Sequence, residues 1–299
     1  MKINKYPDGS SYVSINNNQG ILSQMFPSIT FKINSYEDLW HLNQLVDVYN
    51  NKNIRPTITI PNLIDAQADR RFSSNESSGL KLVCQFLNNM DADFKIFHPH
   101  NPEVVEALMD NVEIIDNSKF INKVFAKLAR EVRAGGRYFD EPSLNTFDLK
   151  ENLILMSSDA GGFKPLMKLC DKLNWQGQTY SASKSRIYSK IKNKSVLTQQ
   201  VNKDNFNGKD ILIIDDICVY GGTFKGLSTK LKEANCGKLY LAVSHMTVQN
   251  LGEDPVTNYF DKVFTTNSKY DNYKVNYNST LKGTIDNLQP INLEIIKLF

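Results

Sequence analysis

Cysteine is scarce in this chain and never clustered: Cys84, Cys170, Cys218 and Cys236 are its only four, with no close pair. That spacing excludes a cysteine zinc site or a Cys-x-x-Cys redox motif and leaves free, buried thiols as the expectation. No stretch approaches the roughly 18 to 20 consecutive apolar residues that cross a bilayer. The opening MKINKYPDGSSYV also lacks the apolar run of a secretory signal, so a soluble, cytoplasmic protein with no membrane partner is expected. Neither sign of charge dominates. Lys plus Arg is 35 against 32 for Asp plus Glu, a balance that offers no electrostatic surface for a nucleic acid and requires any anion site to be local.

What is present is ordinary globular material, 41% hydrophobic and 22% charged, enough to build a core in each of about two domains at 299 residues. SITFKIN (28–34) alternates as a strand. Ser35 and Asp38 then form an N-cap signature ahead of Leu39, Leu42, Leu45, Val46 and Val48 at helical spacing. PTITIP, a helix over about 78–90, FKIF, a helix from about 102, VEII and a helix over about 118–132 continue the alternation. Residues 134–150, AGGRYFDEPSLNTFDLK, are rich in turn formers and read as a connection. A second series comes next, with strands LILMSS (153–158), TYSAS, DILIID (210–215), LYLAVSH (239–245) and KVFTT (262–266). Strands alternating with helices imply an α/β fold with mostly parallel sheets, whose ligands lie at the carboxyl ends of the strands.

The strongest chemical signal is ILIIDDICVYGGT, residues 211–223. Its apolar strand delivers Asp215 and Asp216, which can accept hydrogen bonds from vicinal sugar hydroxyls. Gly221 and Gly222 then allow backbone amides to approach an anion at the start of the next helix, with Thr223 adding a hydroxyl. A lone Gly-Gly-Thr is more often simple turn chemistry. The complete strand, acidic pair and glycine turn is far rarer, and it resembles the phosphoribosyl diphosphate fingerprint of type I phosphoribosyltransferases.

Further segments make the chain similar to the ribose-phosphate pyrophosphokinases, also called phosphoribosyl diphosphate synthetases. Ser158-Asp159-Ala160-Gly161-Gly162 resembles that family's Ser-Pro-Asp-Ala-Gly-Gly, and His98-Pro99-His100-Asn101-Pro102 its Asp-Leu-His-Ala-Pro. Tyr6-Pro7-Asp8-Gly9 resembles the turn that reaches a neighbouring subunit's adenine. Asp69-Arg70-Arg71 with Gln67 before it resembles the ATP-binding segment, and Lys184-Ser185-Arg186 the cations at the base of a mobile catalytic loop, in a run that includes Lys190, Lys192 and Lys194.

The resemblance implies two phosphoribosyltransferase-like domains, 1–133 and 151–283, with 284–299 packing back on the first. It implies ATP contacts from Tyr6, Asp8, Gln67, Asp69, Arg70 and His100, and Mg²⁺ at His100 and Asp159. Asp159, Asp215, Asp216, Tyr220, Gly221, Gly222 and Thr223 would take the ribose phosphate, Lys184 and Arg186 the transferred diphosphate, in a homo-oligomer. The implied reaction moves the β,γ-diphosphate of ATP to the anomeric hydroxyl of a ribose 5-phosphate group. A phosphoribosyltransferase and a non-catalytic regulatory subunit of the same fold are the competing readings.

Departures from the family pattern bear on assembly, on ATP contact and on the acceptor. Ser10 replaces a glutamate, Gln67 and Ala68 replace an arginine and a glutamine, and the residues before the Asp-Gly turn are few. In the phosphate loop, Val219-Tyr220-Gly221-Gly222-Thr223 replaces Asp-Thr-Ala-Gly-Thr. Two acceptors fit such a loop: ribose 5-phosphate, and ADP-ribose, the acceptor of a related branch that serves NAD⁺ rebuilding in phages.

Overall fold

A computed structural model describes residues 1–15, 27–134, 147–189, 194–274, 290 and 292–299. The expected connection is therefore described only at its ends, and Lys190 and Lys192 lie outside the described residues. The chain divides into two compact units, residues 1–116 with Phe299, and residues 117–298.

In the first unit, strands β1 (Lys2–Lys5) and β2 (Ser11–Ser14) form an antiparallel hairpin around the Tyr6–Gly9 turn. Strands β3 (Ser28–Thr30), β4 (Thr57–Ile60), β5 (Asp93–Phe97) and β6 (Val112–Ile115) form a parallel sheet in sequential order. β3 is shorter than its alternating sequence predicts. The amides of Asn34 and Ser35 both donate to Asp38 Oδ2, at 2.9 and 2.8 Å, and this cap draws the chain off the sheet into α1 (Tyr36–Asn50). Helix α1 buries Leu39, Leu42, Leu45, Val46 and Tyr49. Helix α2 (Gly79–Asn88) buries Leu80, Val83, Cys84 and Leu87, an i, i+3, i+4, i+7 stripe. Helix α3 (Pro102–Leu108) starts at Asn101, whose Oδ1 accepts from the Val104 amide, with proline in the first turn.

The second unit holds α4 (Ser118–Ala134), α5 (Phe147–Asn152), α6 (Phe163–Lys172) and α7 (Gly222–Glu233). Its strands are β7 (Leu153–Ser157), β8 (Thr179–Ser189), β9 (Lys194–Val201), β10 (Asp210–Cys218), β11 (Leu239–Met246), β12 (Lys262–Thr266) and β13 (Leu293–Ile296). They lie in the order β13-β12-β11-β10-β7-β8-β9, parallel except for the β8–β9 hairpin. β7 and β11 are buried along their whole length, which is why both read as continuous apolar runs.

The unit boundary precedes α4, whereas the change in composition comes after it. Phe125 of α4 packs on Trp175 with ring centroids 5.2 Å apart, Lys123 Nζ donates to the Lys297 carbonyl, and Lys127 pairs with Glu294. These contacts tie the helix to the second unit. The C-terminal segment likewise adds β13 to the second sheet instead of packing back on the first unit. Only Phe299 groups with the first, its ring 5.1 Å from that of Phe97.

Candidate active site

The acidic pair owes its setting to a difference in strand length. β10 pairs with β7 only as far as Ile214 opposite Ser157, but with β11 as far as Cys218 opposite Met246. Asp215 and Asp216 therefore stand where β10 outruns β7, one edge of the backbone released from pairing. They lie within the strand, not at its end as the sequence predicts, because β11 keeps the ladder going. The chain leaving β7 turns through Ser158 and Asp159. Ser158 donates its hydroxyl to Asp215 Oδ2, and the Asp216 amide donates to Asp215 Oδ1 at 2.9 Å.

Asp159 is fixed on both sides. Its carbonyl accepts from the hydroxyls of Ser157 (2.9 Å) and Ser181 (3.1 Å), and its Oδ1 accepts from the Gly162 amide (3.1 Å) at the start of α6. The two strand ends thus bring Asp159, Asp215 and Asp216 to one carboxyl edge of the second sheet.

Burial pushes the Asp215 carboxyl up to about 7, with the neighbouring Asp216 carboxylate as the next cause. Unfolded, an aspartate ionises near about 3.9. The folded chain therefore holds the extra proton between those values, and the stability this contributes is lost as pH rises towards about 7. The melting midpoint of the unliganded wild type should fall between about pH 5 and pH 8 by more than that of Asp215→Asn, which cannot ionise. Parallel pH dependences would remove this account of Asp215.

The 219–223 loop is open at its start. Val219 is 38% and Tyr220 67% exposed. Gly221 takes φ +74°, and a Cβ there would lie 2.6 Å from Val256, whereas a Cβ on Gly222 would meet nothing within 4 Å. Gly221 caps α7 with no side-chain hydrogen bond, so the first-turn amides of α7 have no side-chain cap and can serve an anion.

The first unit gathers a second set. Asp69, whose side chain is 8% exposed, accepts from Asn101 Nδ2 at 3.1 Å and stands 3.7 Å from Arg70 Nε. One contact thus joins the 67–71 segment to the His98–Pro102 loop. His98 sits at φ +40° with its amide bonded to the Ile115 carbonyl, and His100 and Gln67 are exposed. In the hairpin turn, the hydroxyl and amide of Ser10 both donate to Asp8 Oδ1, at 2.7 and 2.9 Å, and hold that carboxyl below the usual range. The residue that replaces the family's glutamate thus engages Asp8 itself.

Lys184 and Arg186 are positions two apart on β8, opposite Gln199 and Leu197 of β9. They lie in the paired arms of the β8–β9 hairpin, beyond the last pairing of β8 with β7 at Ser181. Among the described residues no three His, Cys, Asp or Glu side chains gather as a metal cage. Mg²⁺ commonly takes one or two protein carboxylates and completes its shell with substrate phosphates and water, so Asp159 at a strand end fits that use without a cage.

No family model matches the chain. Among curated proteins it is 25% identical over 270 residues to a ribose-phosphate pyrophosphokinase of Sulfurisphaera tokodaii, covering 88% of this chain and 82% of that one. It is 24% identical over 269 residues to the ribose-phosphate pyrophosphokinase of Thermococcus kodakarensis, covering 90% and 85%. Both likenesses run along most of the chain, and both are to ribose-phosphate pyrophosphokinases. Its fold matches that of phosphoribosylpyrophosphate synthetase from Mycobacterium smegmatis, with TM-score 0.67 and 17% identity over 99% of this chain and 85% of that one.

The residues least visible in sequence are the supports. Ser158 as donor to Asp215, Asn101 as donor to Asp69 and Val256 as the wall behind Gly221 each act on a residue far away in the chain. Asn101 alone carries a local signal, as an N-cap before Pro102 and Glu103.

Proposed function

We propose that the chain is an ATP-dependent pyrophosphokinase acting on the anomeric hydroxyl of a ribose 5-phosphate group. The observation that carries this is the meeting, on one unit, of the released Asp215–Asp216 edge, Asp159 and the uncapped first turn of α7. Asp215 and Asp216 accept from the ribose hydroxyls, while the amides after Gly221 and the Thr223 hydroxyl hold the 5-phosphate. In the first unit Gln67, Asp69, Arg70 and His100 would take ATP, with His100 a candidate ligand for its Mg²⁺, and in the second unit Asp159 is a candidate ligand for Mg²⁺. In the reaction the acceptor's C1 oxygen bonds to the β-phosphorus of ATP. The bond from that phosphorus to the α,β-bridging oxygen breaks, AMP leaves with the bridging oxygen, and the hydroxyl proton is released. Lys184 and Arg186 stabilise charge on the diphosphate in flight. The exposure of Tyr6, 54%, supports a homo-oligomer in which the Tyr6–Asp8 turn serves a neighbouring copy's adenine.

The exposed Tyr220 and the open space over Gly222 favour an acceptor that continues past its phosphate, as ADP-ribose does. An aromatic side chain there can stack on a group attached beyond the phosphate, and among the described residues a Cβ on Gly222 would meet nothing within 4 Å. Incubation with ATP, Mg²⁺ and either ADP-ribose or ribose 5-phosphate tests both levels at once. AMP release reports the reaction, and a mass gain of one diphosphate reports the acceptor. ADP-ribose should show the higher kcat/KM, and combining Val219→Asp with Tyr220→Thr should shift preference towards ribose 5-phosphate. Turnover of ribose 5-phosphate with no product from ADP-ribose would reject the extended acceptor, and no AMP with either would reject the pyrophosphokinase.

A further inference from the structure

Residues 219–225 contain a single cation, Lys225, in the first turn of α7. Side chains on a helix lean towards its N-terminus, which directs the Lys225 stem back towards the loop. Yet this lysine is already engaged. Its Nζ donates to the Asp254 carbonyl and, at 2.9 Å, to Asp254 Oδ2, and it lies 5.5 Å from the centre of the Tyr259 ring. Tyr259 in turn donates its hydroxyl to Asp254 Oδ2 at 3.1 Å. The Lys225 side chain is 21% exposed, and Val256, two residues beyond Asp254, is the group that crowds Gly221. Segment 254–259 is therefore packed along the phosphate loop and neutralises its one cation.

We infer that Asp254 is a specificity-determining residue, which by pairing with Lys225 sets the phosphate loop to accept a singly charged internal phosphate over a dianionic phosphate monoester. The inference rests on the pyrophosphokinase reading and refines its acceptor. A monoester carries close to two charges near neutral pH, because its second ionisation lies near about 6. Each phosphate of a diphosphate bridge to a second group carries about one. Amides and a threonine hydroxyl can satisfy the oxygens of either, but the second charge of the monoester finds no counter-cation within residues 219–225 unless Lys225 is released. Lys225 holds the Asp254 carboxyl below the usual range, so the carboxylate stays charged at neutral pH and the pairing persists there.

Asp254→Asn keeps the shape at an exposed position and removes the competing charge. Calorimetry without ATP would compare wild type, Asp254→Asn and Asp254→Asn with Lys225→Met for binding of ribose 5-phosphate and of ADP-ribose. Asp254→Asn should bind ribose 5-phosphate about tenfold more tightly, one charge-assisted hydrogen bond's worth, with a smaller change for ADP-ribose. The added Lys225→Met should return both to wild-type values, as a coupled pair requires. Unchanged binding of ribose 5-phosphate by Asp254→Asn would overturn the inference, and so would a gain that survives Lys225→Met. AMP release by the wild type is read separately, so failure of the pyrophosphokinase reading remains distinguishable from failure at Asp254.

Discussion

Replacing Lys184 or Arg186 by alanine is expected to lower kcat by about a hundredfold or more while leaving the KM for ATP within a few fold. Loss of one preorganised donor to charge developing in a transition state typically costs this much. The diphosphate between its old and new oxygens carries charge in positions that neither ATP nor product presents, so a cation aimed there acts on kcat. Both residues lie in the paired part of β8, opposite Gln199 and Leu197, and a strand is a firmer support than a loop for groups that must be preorganised. Steady-state kinetics on the two variants, with circular dichroism to verify the fold, would check this. A rise in KM alone would make them ground-state binding residues.

Gly221→Ala should destabilise the second unit substantially. The left-handed conformation at φ +74° costs a non-glycine residue about 1–2 kcal/mol, and a Cβ placed 2.6 Å from the Val256 side chain adds about 1–3 kcal/mol of overpacking. Together these amount to roughly 2–5 kcal/mol, a large share of what holds a domain folded. Gly222→Ala is the contrasting variant, since its Cβ meets nothing in the unliganded chain. It should melt with the wild type yet bind the acceptor more weakly, because the methyl stands where a phosphate would approach the amides. Chemical denaturation and acceptor binding of both variants would separate the roles. Wild-type stability for Gly221→Ala, or wild-type binding for Gly222→Ala, would contradict the loop geometry.

The difference between these neighbouring glycines illustrates what a sequence does not contain. Side by side in the chain they are equivalent, and the left-handed backbone at Gly221 together with the packing of Val256, thirty-odd residues later, makes one a steric necessity and leaves the other open. Strand length behaves in the same way. The apolar run of β10 is plain in the sequence, but the release of Asp215 and Asp216 from one neighbour depends on where β7 stops. Hydrogen-bonded pairing also carries Lys184 and Arg186 in a strand that local pattern reads as a charged loop.

The sequence by itself determined what is local or periodic. The alternation of β and α elements, the Ser35–Asp38 cap, the helical stripe of α2 and the order of the acidic and glycine motifs all arise from chemistry within a few residues of each position. Only the tertiary structure decided which neighbours those residues meet. It assigned α4 and β13 to the second unit, joined Asp69 to Asn101, placed Ser158 against Asp215 and set Asp254 against Lys225. Each of these is a contact between distant parts of the chain. Its free energy depends on burial and on the alignment of donor with acceptor, neither of which exists until the chain is packed.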